Sequence, residues 1–205
     1  MSAFLRTIRG ILVFSVIAIN TLFWFAPLMV LAVVKVLLPF EPFRKPVTQA
    51  LTAIGESWIS VNTALFNSAC SIDWRLDGDT ELRRDEWYLV IANHLTSIDI
   101  LAMQALLNRR IPFLKFFIKQ QLIWVPFIWL GWWALDMPFM KRYSASYLAR
   151  KPDMKGKDFE TTRRACRKFS DMPTSVMNFV EGTRFTTEKR DRHKDPYRHV
   201  LRPRG

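Results

Sequence analysis

Between Ile11 and Val34 the chain carries 24 consecutive residues without a charge. No other feature restricts the fold as severely, because so much apolar surface must be covered by lipid or by a large protein core. As one helix the run measures about 36 Å, enough to cross a hydrocarbon layer of roughly 30 Å. Arg6 and Arg9 precede it and Lys35, Arg44 and Lys45 follow it. Basic residues thus flank both ends, and the positive-inside rule favours neither orientation. Two arrangements fit: a spanning helix, or a helix broken near Pro27 that dips into one leaflet and returns with both ends cytoplasmic. A cleaved leader fits less well, since Asn20-Thr21-Leu22-Phe23-Trp24 offers no small-residue cleavage pattern. The run is therefore read as a retained membrane anchor.

The rest of the composition agrees. A net charge of +12 with half the residues hydrophobic suits a protein held against anionic headgroups. Nucleic acid is set aside as a partner, because the basic residues show no zinc-ligand spacing, no RNP-like sequence and no recognisable DNA-reading helix. The basic stretch from Arg184 to Arg204 reads either as a solvated loop or as a surface facing headgroups or donor phosphates. Cys70 and Cys166 stand far apart, imply no disulfide framework, and suit a reducing cytoplasmic face. No metal-ligand cluster is expected.

The division expected is an anchor over 1–70 and one catalytic domain over 71–205, with no internal repeat. Val47 to Phe66 reads as an amphipathic helix and Ser71 to Leu76 as an edge strand before an Asp77-Gly78-Asp79 turn. Trp87 to Ala92 and Thr174 to Val180 are β-branched and aromatic runs that read as buried strands. Ser97 to Asn108 and Lys157 to Phe169 have helical periodicity. Between them Pro126 and Gly131 interrupt an aromatic-rich segment, giving a strand near Pro112 to Ile118, a bent helical piece, and a strand near Ala134 to Met140. Its rings suit core packing, a membrane interface or an acyl-chain wall. Alternating strands and helices predict an α/β sheet flanked by helices, behind an N-terminal anchoring helix.

Both strand-like runs end in chemistry. Asn93-His94-Leu95-Thr96-Ser97-Ile98-Asp99 follows the first, so His94 falls at the carboxyl end of a strand and Asp99 in the first turn of a helix, where open α/β sheets place their sites. A histidine oriented by a carboxylate is a general base for a hydroxyl. Glu181-Gly182-Thr183-Arg184 follows the second run. Gly182 permits a tight turn, Arg184 presents a fork suited to phosphate, and backbone amides around the glycine can serve the same anion. Each motif alone has a plain structural reading; the two together, each at a strand end, point to a site.

From Trp87 to Arg184 these residues resemble the glycerolipid acyltransferases typified by 1-acyl-sn-glycerol-3-phosphate acyltransferase. The family's Asn-His-x4-Asp matches Asn93, His94 and Asp99. Its Phe-x-Glu-Gly-Thr-Arg matches Phe179, Glu181, Gly182, Thr183 and Arg184, with Val180 where proline is usual. Gly131 with Met137-Pro138-Phe139-Met140-Lys141-Arg142 resembles the intervening motif at a longer spacing, and Lys119-Gln120-Gln121-Leu122 before Pro126 resembles the stretch ahead of it.

The resemblance implies a fatty acyl group passing from acyl-CoA or acyl-carrier protein to the free hydroxyl of a lysophospholipid, with His94 as base and Asp99 stabilising the imidazolium. Arg142, Arg184 and Lys119 would hold the acceptor's phosphate. Asn93, Glu181, Gly182 and Thr183 would complete the substrate site, with no cofactor beyond the donor. It also implies the inner membrane of a bacterium, with the catalytic domain on the cytoplasmic face. A thioester hydrolase and a non-catalytic lipid-binding protein are the alternatives. The family continues beyond the point matched by Leu201-Arg202-Pro203-Arg204-Gly205, so the chain is read as truncated and expected to fold imperfectly and to have little or no activity alone.

Overall fold

The computed structural model of the 205-residue chain describes residues 3–70, 72–78, 81–96, 98–125, 128–140, 145–154, 157–193 and 200–201. Among them the elements run α1 (Ala3–Leu37), α2 (Glu41–Ala69), β1 (Tyr88–Ala92), α3 (Ile98–Leu107), β2 (Leu114–Phe116), β3 (Ile118–Lys119), α4 (Ile128–Ala134), β4 (Phe139–Met140), α5 (Ala145–Arg150), α6 (Lys157–Cys166), β5 (Ser175–Phe179) and α7 (Thr187–His193). Short 3-10 turns cover Gln120–Trp124, Pro152–Met154 and Arg167–Ser170. Two compact units result: Met1–Glu81 with Gln120–Met137, and Leu82–Lys119 with Pro138–Gly205.

In the first unit α1 and α2 form an antiparallel hairpin, because residues early in α1 meet residues late in α2. Asn20 Nδ2 donates to Asn62 Oδ1 at 2.9 Å, Trp58 Nε1 donates to Thr21 Oγ1 at 3.1 Å, and the Arg9 guanidinium donates to the Ala69 carbonyl. Such polar rungs fix the register of the two helices, which apolar contacts alone define less sharply. Pro27 lies inside α1 without ending it. Among the described residues one helical stretch, Thr7–Leu37, is long and apolar enough to cross a membrane. Its outer side chains, including Phe14, Leu22, Phe23 and Val30, are exposed.

The segment Gln120–Met137 belongs to this same unit. Buried Leu28, Ala32, Leu51 and Ala134 form its centre, with Leu130, Trp133 and Leu135 packed around them. The small residues let α4 lie close to α1, and a Cβ at Gly131 would already meet Leu28 and Phe25 at 3.5 and 3.6 Å. Helix α4 ends in a Schellman turn: Asp136 adopts φ 57°, its N–H bonds Trp133 O at 3.0 Å, and Met137 N–H bonds Trp132 O at 2.9 Å. Lys35 Nζ reaches this turn and donates to Asp136 Oδ2 and to Ala134 O, each at 2.8 Å. A buried ammonium is stable there because it meets both a carboxylate and the negative end of a helix.

In the second unit β5 lies between β1 and β2, all parallel, with Tyr88 opposite Ser175 and Ala92 opposite Phe179. Met177, 2% exposed, is central to a core with Ile111 and Leu114, and Met103 and Leu107 of α3 pack on it. Tyr88, Val90 and Ala92 face that core. The sequence reading of Trp87 to Ala92 as a buried strand is corrected here: Leu89 and Ile91, on its other face, are 66% and 58% exposed. Successive side chains of a strand point to opposite faces, and only the face carrying Tyr88, Val90 and Ala92 packs on that core.

Three further expectations are corrected. Residues 72–77 form no strand; Trp74 Nε1 bonds Asn67 Oδ1 and Arg75 pairs with Asp73, so local side-chain bonds replace a ladder. The run Pro112 to Ile118 breaks at Phe117 into β2, which pairs with β5, and β3, which pairs with β4. The strand expected over Ala134 to Met140 shrinks to Phe139–Met140, because the Schellman turn occupies its first half.

Candidate active site

Parallel pairing decides where the motifs go. Ala92 and Phe179 are register partners at the carboxyl ends of adjacent strands, so the residues that follow each emerge side by side. A backbone bond closes the arrangement, with Phe185 N–H donating to His94 O at 2.7 Å. The imidazole of His94 stacks on the Phe179 ring, centroids 4.1 Å apart and planes 19° from parallel. The two sequence motifs thus meet through strand register, a backbone bond and a ring contact.

His94 Nδ1 stands 3.0 Å from Asp99 Oδ2. With its proton on Nδ1 donated to the carboxylate, the ring keeps the Nε2 lone pair to accept one. Asp99 is the second residue of α3 and is held on several sides. Leu95 N–H and Thr96 N–H donate to Oδ2 at 2.6 and 2.8 Å, and Thr96 Oγ1 donates to Oδ1 at 3.0 Å. Thr96 Oγ1 also accepts from Ile98 N–H at 3.1 Å, fixing the start of the helix. Partial burial opposes ionisation of Asp99, but the bonds from His94, Thr96 and Leu95 outweigh it and hold the carboxyl below its ordinary value.

This lowered value has a signed consequence. The stability Asp99 contributes is complete above the ordinary carboxylate range and is lost as pH falls through its lower folded value. Hydrogen-exchange protection of the Leu95 and Thr96 amides is expected to persist through mild acid and collapse only below that range. Asp99→Asn is expected to start lower and show no such step. Protection that declines already near neutrality would mean that the ionised carboxylate is not what holds the loop.

The second motif makes a tight turn. Gly182 has φ 64°, a region that favours glycine, and its N–H bonds Phe179 O at 2.8 Å. Glu181 is 1% exposed, which directs its carboxylate into the protein, whereas Arg184 is exposed. Thr183 Oγ1 accepts from Lys189 Nζ. Asn93 is exposed beside His94. Lys119 ends β3, exposed, and no hydrogen bond or ion pair joins it to the His94–Asp99 pair. Arg142 lies outside the described residues. Among those described, no three His, Cys, Asp or Glu side chains gather as metal ligands.

Sequence reasoning missed Thr96, the stacking role of Phe179, and Lys189. Thr96-x-x-Asp99 carries a readable signal, since a threonine three positions before an acid opens many helices. The ring contact and Lys189 depend on tertiary geometry and had none.

A strand-end histidine paired with a carboxylate thus stands beside a glycine turn that carries an exposed arginine, an arrangement chemically suited to taking a proton next to a bound anion. A family model for acyltransferases matches residues 73–202, well over half the chain and including both motifs, and the chain belongs to the acyltransferase family. Among solved structures it is similar to the 1-acyl-sn-glycerophosphate (LPA) acyltransferase PlsC from Thermotoga maritima. The TM-score is 0.55 and the identity 16%, over 89% of this chain and 64% of that one. The chain thus spans less than two thirds of that protein's length, and the likeness is one of fold: a parallel sheet flanked by helices, with an apolar N-terminal helix. The α/β architecture expected from the sequence is borne out. No curated protein gives a significant match.

Proposed function

We propose that this protein transfers a fatty acyl group from a thioester donor, acyl-CoA or acyl-carrier protein, to the free hydroxyl of a lysophospholipid at a membrane surface. The observation that carries the reading is the His94 Nδ1–Asp99 bond at a strand end that adjoins the Glu181–Arg184 turn. His94 Nε2 takes the proton of the acceptor hydroxyl as its oxygen attacks the thioester carbonyl, and Asp99 stabilises the imidazolium. The C–S bond then breaks, and the departing thiolate takes the proton back from His94. The products are the acylated lipid and a free thiol. No covalent acyl-enzyme is required, and the thioester is already activated, so the step calls for no cofactor.

Arg184, together with Lys119 and Arg142, would hold the acceptor's phosphate, with backbone amides near Gly182 adding donors. Asn93 and Thr183 would border the substrate, and Glu181 would order the turn from inside. Lysophosphatidate is the first acceptor to test. The apolar outer side of α1 suits lipid, with the catalytic unit at the cytoplasmic face of a bacterial inner membrane.

The deciding experiment supplies radiolabelled acyl-CoA and a panel of lysophospholipids to membranes carrying the chain. Product that forms only with a lysolipid is the expected result and names the acceptor. Release of free fatty acid at the same rate without any acceptor would replace this reading with thioester hydrolysis.

A further inference from the structure

Lys189 sits in α7, past the glycine turn in sequence, and its side chain folds back onto that turn. Its Nζ donates to Thr183 Oγ1 at 2.7 Å and to the Arg184 carbonyl at 2.8 Å. Its own backbone N–H is tied to Thr186 Oγ1 at 3.2 Å, so both ends of the residue are anchored to the loop it spans. The next residue contrasts with it: Arg190 pairs with Asp191 at 2.8 Å. Among the described residues no carboxylate pairs with Lys189. Its two acceptors are neutral oxygens, which orient an ammonium without cancelling its charge. An ammonium has three donors, and two are spent on the turn.

We propose that Lys189 is a positioning residue of the acceptor site. It locks Thr183 and the Arg184 backbone into the shape that receives an anion, and it brings to that turn a positive charge that no carboxylate among the described residues pairs with. This inference rests on the acyltransferase reading and sharpens it, because the charge favours acceptors that carry a phosphate close to the hydroxyl being acylated. Threonine and carbonyl oxygens would hold an arginine at this position nearly as well as a lysine, whereas methionine keeps the length and loses both bonds and the charge.

The test uses the full chain in membranes, with 1-oleoyl lysophosphatidate as acceptor and radiolabelled acyl-CoA as donor. Lys189→Met is expected to raise KM for lysophosphatidate about 10-fold or more, the scale of one charge-assisted hydrogen bond. The KM for acyl-CoA should stay unchanged and kcat should fall no more than about 3-fold. Lys189→Arg should restore most of the acceptor KM. An unchanged acceptor KM in Lys189→Met overturns the proposal, as does a loss confined to kcat or a failure of arginine to rescue. Those results leave the acyltransferase reading standing, provided the unaltered chain acylates the acceptor. If the unaltered chain acylates nothing, both readings fall together.

Discussion

His94→Ala is expected to lower acyl transfer by about 10²- to 10⁴-fold, the usual contribution of a positioned general base. The loss should appear in kcat with little change in the KM of either substrate, because the imidazole is asked to act on a proton in flight and not to hold a ligand. The fold should survive. His94 is partly exposed and contributes one ring face to Phe179, so alanine removes a modest contact at the mouth of the sheet. Asp99→Asn offers a companion measurement. It keeps the size of the side chain but removes the charge that steadies the imidazolium, and it weakens the bonds to Leu95 and Thr96. Its loss should be smaller than that of His94→Ala, and the double variant should be no worse than His94→Ala alone, since both act through one base. Retention of more than about a tenth of the activity by His94→Ala would remove this histidine from the chemistry.

Removing residues 1–81 is expected to destroy solubility and not to release a soluble catalytic domain. The reason is that Gln120–Met137, which lies between the two motifs in sequence, packs with α1 and α2. A shortened chain beginning at Leu82 would expose the apolar sides of Leu130, Trp133 and Leu135, which are partly buried and each worth some fraction of the roughly 1.5–3 kcal/mol of a fully buried side chain. It would also strip Asp136 of the Lys35 ammonium, a separation that costs about 3–5 kcal/mol when one partner of a buried pair is deleted. Those losses are a large share of the stability of an ordinary domain, about 5–15 kcal/mol. Size-exclusion chromatography without detergent is the check. A monodisperse, cooperatively unfolding product would show that Gln120–Met137 does not depend on the hairpin. In a second chain lacking 1–81, replacement of Gln120–Met137 by a short glycine-serine linker should recover solubility.

The parts of the molecule legible in the sequence were those set by local pattern. The apolar run, the periodicity of α3 and α6, the two strand-like runs and the His94–Asp99 spacing all report on residues within one or two turns of each other. The meeting of the two motifs was legible because each is punctuated by a strand end, and strand ends gather in a parallel sheet. Long-range choices were not. Nothing local says that β5 lies between β1 and β2, that Phe117 should divide one apolar run between two sheets, or that Ile72 to Asp77 should leave the ladder, with Trp74 bonding back to Asn67. Lys35 reads as a residue flanking a membrane helix, yet its ammonium turns inward to cap α4. Lys189 reads as one more cation in a basic tail until the turn it clasps is in place.

The pairing of Ala92 with Phe179 also sets a clock. A ribosome adds about 5–20 residues each second, so several seconds separate the appearance of β1 from that of β5. Through that interval the nascent chain already has its apolar helix and its histidine, but no partner strand and no turn to receive an anion. The apolar helix is therefore made, and free to find its surroundings, before the two motifs can meet.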